Sequence, residues 1–161
     1  CKADLDAGLA DRVPCFDWSG HRLQRWRGLL QAAPIRAPLD AGLNAHWDGR
    51  APLQLPDGGR LWLDRAADDH AWTVRARQGG ERIRLTGRAH SHALKHVLQS
   101  LGVPPWVRAH LPVLFDADGR VLAAGDLAVD AGFEAWLRAG GRHLHWSPPG
   151  AMHTVPGAPI A

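Results

Sequence analysis

The sequence predicts an α+β fold that consists of two small, mostly antiparallel β domains with a few short helices. Short runs of alternating apolar and polar residues are separated by turn dipeptides, which is the pattern of antiparallel hairpins. Helical periodicity is clearest in short stretches in the second half of the chain. The chain has 161 residues and a hydrophobic content of 45%, which fits a globular protein with one large or two small domains.

The first domain is predicted to cover residues 1–66. Residues 15–18 and 22–26 alternate on either side of Ser19-Gly20, a two-residue hairpin signal. The apolar residues within 23–30 also fit helical spacing, so a helix is the alternative for this segment. The hairpin is favoured, because an aromatic residue and a turn signal agree with it.

A second hairpin is predicted further along the first domain. Residues 53–55 and 61–63 alternate on either side of the turn at residues 57–59, whose sequence is Asp-Gly-Gly. Between the two hairpins, residues 34–49 show no clear periodicity. Residues 64–70 are polar and aperiodic, which favours a linker at residues 67–71.

The second domain is predicted to span residues 72–146. Residues 72–77 and 82–85 alternate around a Gly79-Gly80 turn, and a hairpin between them would have one apolar face. Residues 147–161 contain four prolines and are predicted to form a mobile tail. The polar face of the predicted hairpin would present four arginines: Arg75, Arg77, Arg82 and Arg84.

Three short helices are predicted in the second domain. The first runs over residues 92–101, with Ser91 as its N-cap, Gly102 as its end and a stripe of Leu94, Val97, Leu98 and Leu101. In that register Lys95 is exposed. The second helix begins at Pro105 and the third covers residues 132–139. A hairpin over 112–124 and a final strand over 143–146 complete the domain.

Positive charge is concentrated between residues 72 and 112. This segment has seven cations and one acid, a local net charge of +6, whereas the whole chain carries +3. A concentrated positive field attracts polyanions such as nucleic acid, because binding releases condensed counterions. The alternative is a solvated arginine-rich face.

The same segment resembles a known family. The order Gly79-Gly80-Glu81-Arg82-Ile83-Arg84-Leu85, then Leu98-Gln99-Ser100-Leu101-Gly102-Val103-Pro104-Pro105-Trp106-Val107-Arg108, is similar to the C-terminal domain of bacterial tRNA(Ile)-lysidine synthetase. The part before residue 67 is more weakly similar to the middle domain of that enzyme. The family's Ser-Gly-Gly-x-Asp-Ser loop for ATP does not occur in this sequence. We therefore expect the chain to be the C-terminal part of a longer enzyme.

The resemblance implies a role in tRNA recognition. The intact enzyme uses ATP to attach lysine to the wobble cytidine of an isoleucine tRNA, so ATP and lysine are its substrates. No catalytic residue and no cofactor are expected in this part, which would hold the tRNA acceptor end. The residues expected to bind tRNA are Arg75, Arg77, Arg82, Arg84, Arg88, Lys95, Trp106 and Arg108.

Two other functions stay open at this point. The chain could be a stand-alone RNA- or protein-binding module without catalysis. It could also be a metal-dependent hydrolase built on His90, His92 and His96, two of which have the i, i+4 spacing of helical ligands. No Glu base lies between those histidines, and no Cys or acid lies close by in sequence, so no metal is expected.

The sequence favours a cytoplasmic protein with no membrane contact. It contains no run of about 18 apolar residues, and no signal peptide is recognisable. Cys1 and Cys15 have neither metal nor redox spacing, and two such thiols suit a reducing compartment. A homodimer is compatible with these observations.

Overall fold

A computed structural model describes residues 14–68 and 70–150 of the chain. This part contains antiparallel sheets and three short helices, so the predicted α+β class is confirmed. The strands are β1 (Cys15–Trp18), β2 (His21–Trp26), β3 (Leu29–Pro34), β4 (Asn44–Trp47), β5 (Leu53–Gln54), β6 (Arg60–Leu63), β7 (Trp72–Ala76), β8 (Arg82–Ile83), β9 (His92–Ala93), β10 (Pro112–Phe115), β11 (Val121–Ala124), β12 (Ala128–Val129) and β13 (Leu144–Ser147). The helices are α1 (Leu94–Ser100), α2 (Pro105–Arg108) and α3 (Ala131–Ala139).

The first sheet has the order β1-β2-β3 and confirms the predicted hairpin. Trp18 pairs with His21, so the connection has two residues, and both Ser19 and Gly20 adopt positive φ. Such a turn matches the twist of the strands that it joins. The helical alternative for residues 23–30 is wrong, because β2 continues through a second tight turn into β3.

The main sheet has the order β12-β11-β10-β7-β4 and contains much of the core. Val113 on the central strand β10 and Val74 on the neighbouring strand β7 are fully buried. The predicted hairpin between residues 72–77 and 82–85 is wrong. β7 pairs with β10 and β4, whereas β8 pairs with β9. A local turn signal identified the strands correctly but could not reveal their distant partners.

A third sheet, β13-β6-β5, contains the second predicted hairpin, which is confirmed as β5 and β6. Strand β13, near the C-terminal end of the chain, pairs with β6 from before the predicted linker. In the main sheet, β4 from before the linker pairs with β7 from after it. Strands on either side of the predicted linker at residues 67–71 therefore pair with each other. Within this segment Ala67 is buried in the core, and the His70 ring stacks on Trp72 at a centroid distance of 4.4 Å.

Helix α1 begins later than predicted. Its N-cap is Ala93, without a side-chain cap, while the Ser91 hydroxyl accepts a hydrogen bond from Nε of Arg82 at 3.1 Å. Leu94, Val97 and Leu98 are buried as expected, but Leu101 lies after the helix and is 55% exposed. The chain leaves the helix at Gly102, whose φ is +70°.

Helices α2 and α3 have nearly the predicted bounds. α2 begins at Pro105, where the missing amide costs nothing, and Asp130 caps α3 by accepting hydrogen bonds from its first turn. None of the helices in the described part is long and apolar enough to cross a membrane. Of the predicted tail, Ser147 belongs to β13, and residues 151–161 lie outside the described residues.

Candidate nucleic-acid interface

Two clefts border α2. The first, which we name the basic cleft, has a volume of about 450 Å³ and is lined by Arg77, Lys95 and Arg108 together with Pro105 and Ala109. No Asp or Glu of the described part lines it. Three of the eight residues predicted to bind tRNA thus converge on one concave surface.

The basic cleft is assembled from three separate elements. Arg77 directly follows β7, and Lys95 lies in the first turn of α1 with its side chain exposed, whereas the preceding Leu94 is fully buried. The Nε atom of Arg77 is shielded from solvent and has no hydrogen-bond partner among the described residues. The side chain as a whole is partly exposed and lines the cleft, so its positive charge faces any anion that enters there.

Arg108, one of the residues predicted to bind tRNA, is largely buried. It is only 6% exposed, and its Nε donates a hydrogen bond to the Val103 carbonyl at 2.7 Å. Its guanidinium also lies 5.4 Å from the ring centroid of Trp26, on β2. These contacts favour a role for Arg108 in holding the wall of the cleft in place, rather than in direct contact with a phosphate.

The other four predicted arginines do not line either cleft. Arg75 lies over the Phe115 ring at 5.0 Å. Arg82 is exposed, but its guanidinium donates to the Ser91 carbonyl at 2.6 Å. Arg84 and Arg88 are exposed to solvent. Because β7 and β8 are not paired, the single four-arginine face expected from the sequence is not formed.

The second cleft, which we name the junction cleft, lies between the β1-β2-β3 sheet and α2. Its volume is about 650 Å³, and Trp106, Gln24, Gln31, Arg36 and His110 are among the residues that line it. Of these residues, only Trp106 was predicted from the sequence to bind tRNA. Gln31 and Arg36 lie in segments without a recognisable motif, and only the pairing of β2 with β3 places Gln31 opposite Gln24.

The histidines do not form a metal centre in the described part. His90, His92 and His96 are exposed, and no group of three potential ligands occurs among the described residues. His110 instead makes a 2.9 Å contact with Asp57 at the junction cleft. The structure gives the metal-hydrolase alternative no support.

A second His–Asp pair lies away from both clefts. The backbone N–H of His143 donates to Asp64 at 2.7 Å, and Nδ1 of the same histidine lies 2.8 Å from the other carboxylate oxygen. These hydrogen bonds, the backbone one foremost, lower the pKa of Asp64 to about 2. The pair joins the end of β6 to the start of β13.

Comparison with known proteins identifies the family. Residues 72–146 match the family model described as "TilS substrate C-terminal domain". The chain is also 47% identical over 146 residues to a tRNA(Ile)-lysidine synthase of Xanthomonas axonopodis pv. citri. The chain belongs to the tRNA(Ile)-lysidine synthase family. The matched range contains the three cations of the basic cleft and Trp106, while the glutamines of the junction cleft lie upstream of it.

The chain spans about a third of the length of the curated relatives that it matches. The match covers 89% of this chain and 33% of the Xanthomonas synthase. A tRNA(Ile)-lysidine synthase of Xylella fastidiosa is 44% identical over 142 residues, which are 84% of this chain and 32% of that relative. A solved structure titled "Crystal structure of TILS C-terminal domain" aligns with a TM-score of 0.48 and 24% identity, covering 65% of this chain and 97% of that one.

Proposed function

We propose that this chain is the tRNA-recognition portion of a tRNA(Ile)-lysidine synthase and that it binds the acceptor end of the tRNA. The observation that carries the proposal is the basic cleft, a concave surface with three cations and no acid inside the matched family range. The catalytic step would belong to the rest of the enzyme, which would use ATP to join lysine to the wobble cytidine. In this proposal the enzyme works in the cytoplasm.

The C-terminal tRNA-binding domain is proposed to span residues 72–146, where the family match lies. Strands β4, β5 and β6 from the upstream segment complete its sheets. The upstream segment, proposed to belong to the middle domain, would therefore help to build the tRNA-binding surface. Its sheet β1-β2-β3 forms one wall of the junction cleft.

Phosphate is the chemical group that the basic cleft suits best. Arg77 offers a partly exposed guanidinium group, and Lys95 offers an exposed ammonium on the same surface. Arginine binds phosphate through fixed donors and lysine as a point charge, and such contacts position nucleic acid without reading its sequence. The exposed arginines outside the cleft would add to the field: Arg75, Arg82, Arg84 and Arg88.

Titration of labelled tRNA with the 161-residue chain at several salt concentrations tests the proposal. Each of Arg77→Ala and Lys95→Ala should weaken binding and reduce the slope of log K against log salt by about 1, the value for one lost phosphate contact. Arg120→Ala is the matched control. Arg120 is exposed and lies beyond Phe115, at the end of β10 that is away from Arg77. Its replacement should therefore leave the slope unchanged.

The two possible failures have different meanings. If the unaltered chain does not bind tRNA at low salt, it lacks the proposed recognition function. If it binds but Arg77→Ala and Lys95→Ala both show the same affinity and slope as the parent, then tRNA is held elsewhere and the basic cleft is a solvated surface.

A further inference from the structure

We propose that the junction cleft binds an unpaired nucleotide from the single-stranded 3′ end of the tRNA. The base would stack on Trp106, and its edge would meet the amides of Gln24 and Gln31. This inference rests on the proposed function, and it adds a second contact of a different kind to the phosphate contact in the basic cleft.

Trp106 is the aromatic ring best placed to stack on a base. Six of the eight tryptophans make ring or cation-π contacts within the described part of the chain. Trp146 makes none there but is buried, with 7% exposure. Trp106 also makes none, and it is partly exposed at the wall of the junction cleft. Unpaired bases commonly stack on aromatic side chains of this kind.

Gln24 and Gln31 supply the polar groups that a base edge requires. They are directly opposite each other in the register of β2 and β3, so their side chains lie side by side on one face of the sheet. Neither amide makes a hydrogen bond with another described residue. Each carries both a donor and an acceptor, which allows the pair to match the mixed edge of a nucleobase.

That face of the sheet is turned toward α2. Trp26 lies on the same face as Gln24, two residues along the strand, and its ring is contacted by Arg108. Arg27 of the following turn donates to the Gln99 carbonyl at 3.1 Å. These contacts hold the sheet beside the helix, so the cleft between them is fixed by interactions within the fold.

The two clefts are adjacent, which suits a continuous strand. Both are lined by Pro38, Pro105 and Ala109, so they share part of their walls. A strand that passed over these shared residues would contact Lys95 in one cleft and Trp106 in the other. Arg36 would supply a cation on the far wall, whereas Arg22 is already paired with Asp17 at 2.7 Å.

Two hairpin RNAs with the same base-paired stem test the inference with the 161-residue chain. One ends bluntly, and the other carries four unpaired nucleotides at its 3′ end. The chain should bind the extended RNA more tightly. Trp106→Leu should weaken binding of the extended RNA by about 5- to 100-fold and so remove most of that gain. Trp106→Phe should retain the gain, because stacking is kept. Lys95→Ala should weaken binding to both RNAs.

Thermal melting of each variant shows whether it is folded. The double variant Gln24→Ala/Gln31→Ala gives a second test, because it leaves the tryptophan in place and should also reduce the gain from the extension.

Equal binding of both RNAs by the unaltered chain would overturn the inference and leave the proposed function intact. Failure to bind either RNA would overturn the proposed function itself. A gain that survives in both Trp106→Leu and the glutamine double variant would place the extension outside the junction cleft.

Discussion

Replacing Arg108 with methionine separates a structural role from an RNA contact. Arg108 is 6% exposed, donates from Nε to the Val103 carbonyl at 2.7 Å and lies over Trp26. Methionine keeps most of the apolar stem but removes the charge and the donor. The Val103 carbonyl would lose this donor, and α2 would lose its cation-π contact with the β1-β2-β3 sheet.

The expected loss of stability follows from these contacts. A hydrogen bond from a charged group contributes about 1.5–3 kcal/mol, and a partly desolvated cation-π contact adds about 0.5–2 kcal/mol. Methionine avoids the cost of burying a guanidinium, which offsets part of that sum. We therefore expect Arg108→Met to lower the free energy of unfolding by about 2–3 kcal/mol.

Urea unfolding followed by tryptophan fluorescence measures this loss as a lower midpoint at unchanged slope. Arg120→Met, at an exposed arginine, is the control and should stay within about 0.5 kcal/mol of the parent. The salt slope of tRNA binding by folded Arg108→Met should equal that of the parent. A variant as stable as the parent but with a slope lower by about one contact would refute the reasoning and make Arg108 a phosphate ligand.

Four other substitutions have defined outcomes. Leu94→Ala should cost about 2–5 kcal/mol in urea unfolding, because Leu94 is fully buried, while the exposed neighbour Lys95→Ala should change stability by less than about 0.5 kcal/mol. Equal losses for the two would show that α1 faces the other way. The ionised Asp64 carboxylate, whose pKa is lowered from 3.8 to about 2, stabilises the fold above its ordinary pKa, and this contribution disappears as the pH falls through about 2. Unfolding of Asp64→Asn should therefore depend less on pH between 3.8 and 2 than unfolding of the parent, and identical pH profiles would contradict the pairing with His143. Gly125→Ala should lower the melting temperature clearly, since a Cβ there would lie 2.7 Å from Leu111 and the backbone has positive φ.

Local chemistry was sufficient to predict much of the fold from the sequence. Ser19-Gly20 adopts the backbone that its hairpin requires, and the buried stripe of α1 follows helical spacing. The partners of β7 could not be predicted, because an alternating pattern shows which face of a strand is buried but not which strand lies beside it. Ser91 looked like a helix cap, but its hydroxyl is engaged by Arg82 from the paired strand β8.

The candidate site was only partly predictable for the same reason. Concentrated charge pointed to the segment that supplies Arg77 and Lys95, although charge alone could not distinguish those two from the buried Arg108. Gln31 lies in no motif, and its amide becomes informative only because Gln24 lies opposite it on the neighbouring strand. Sequence reasoning thus identified the cations, and strand pairing revealed the cleft beside them.

The pairing of β4 with β7 and of β6 with β13 has a practical consequence for anyone who isolates the matched family range. A fragment of residues 72–146 would keep β7 and β13 but remove the strand that covers one side of each. Both would then present unpaired backbone amides and carbonyls along an apolar edge, which is a template for association with another copy. Such a fragment should aggregate, whereas one that starts before Leu39 keeps both edges covered.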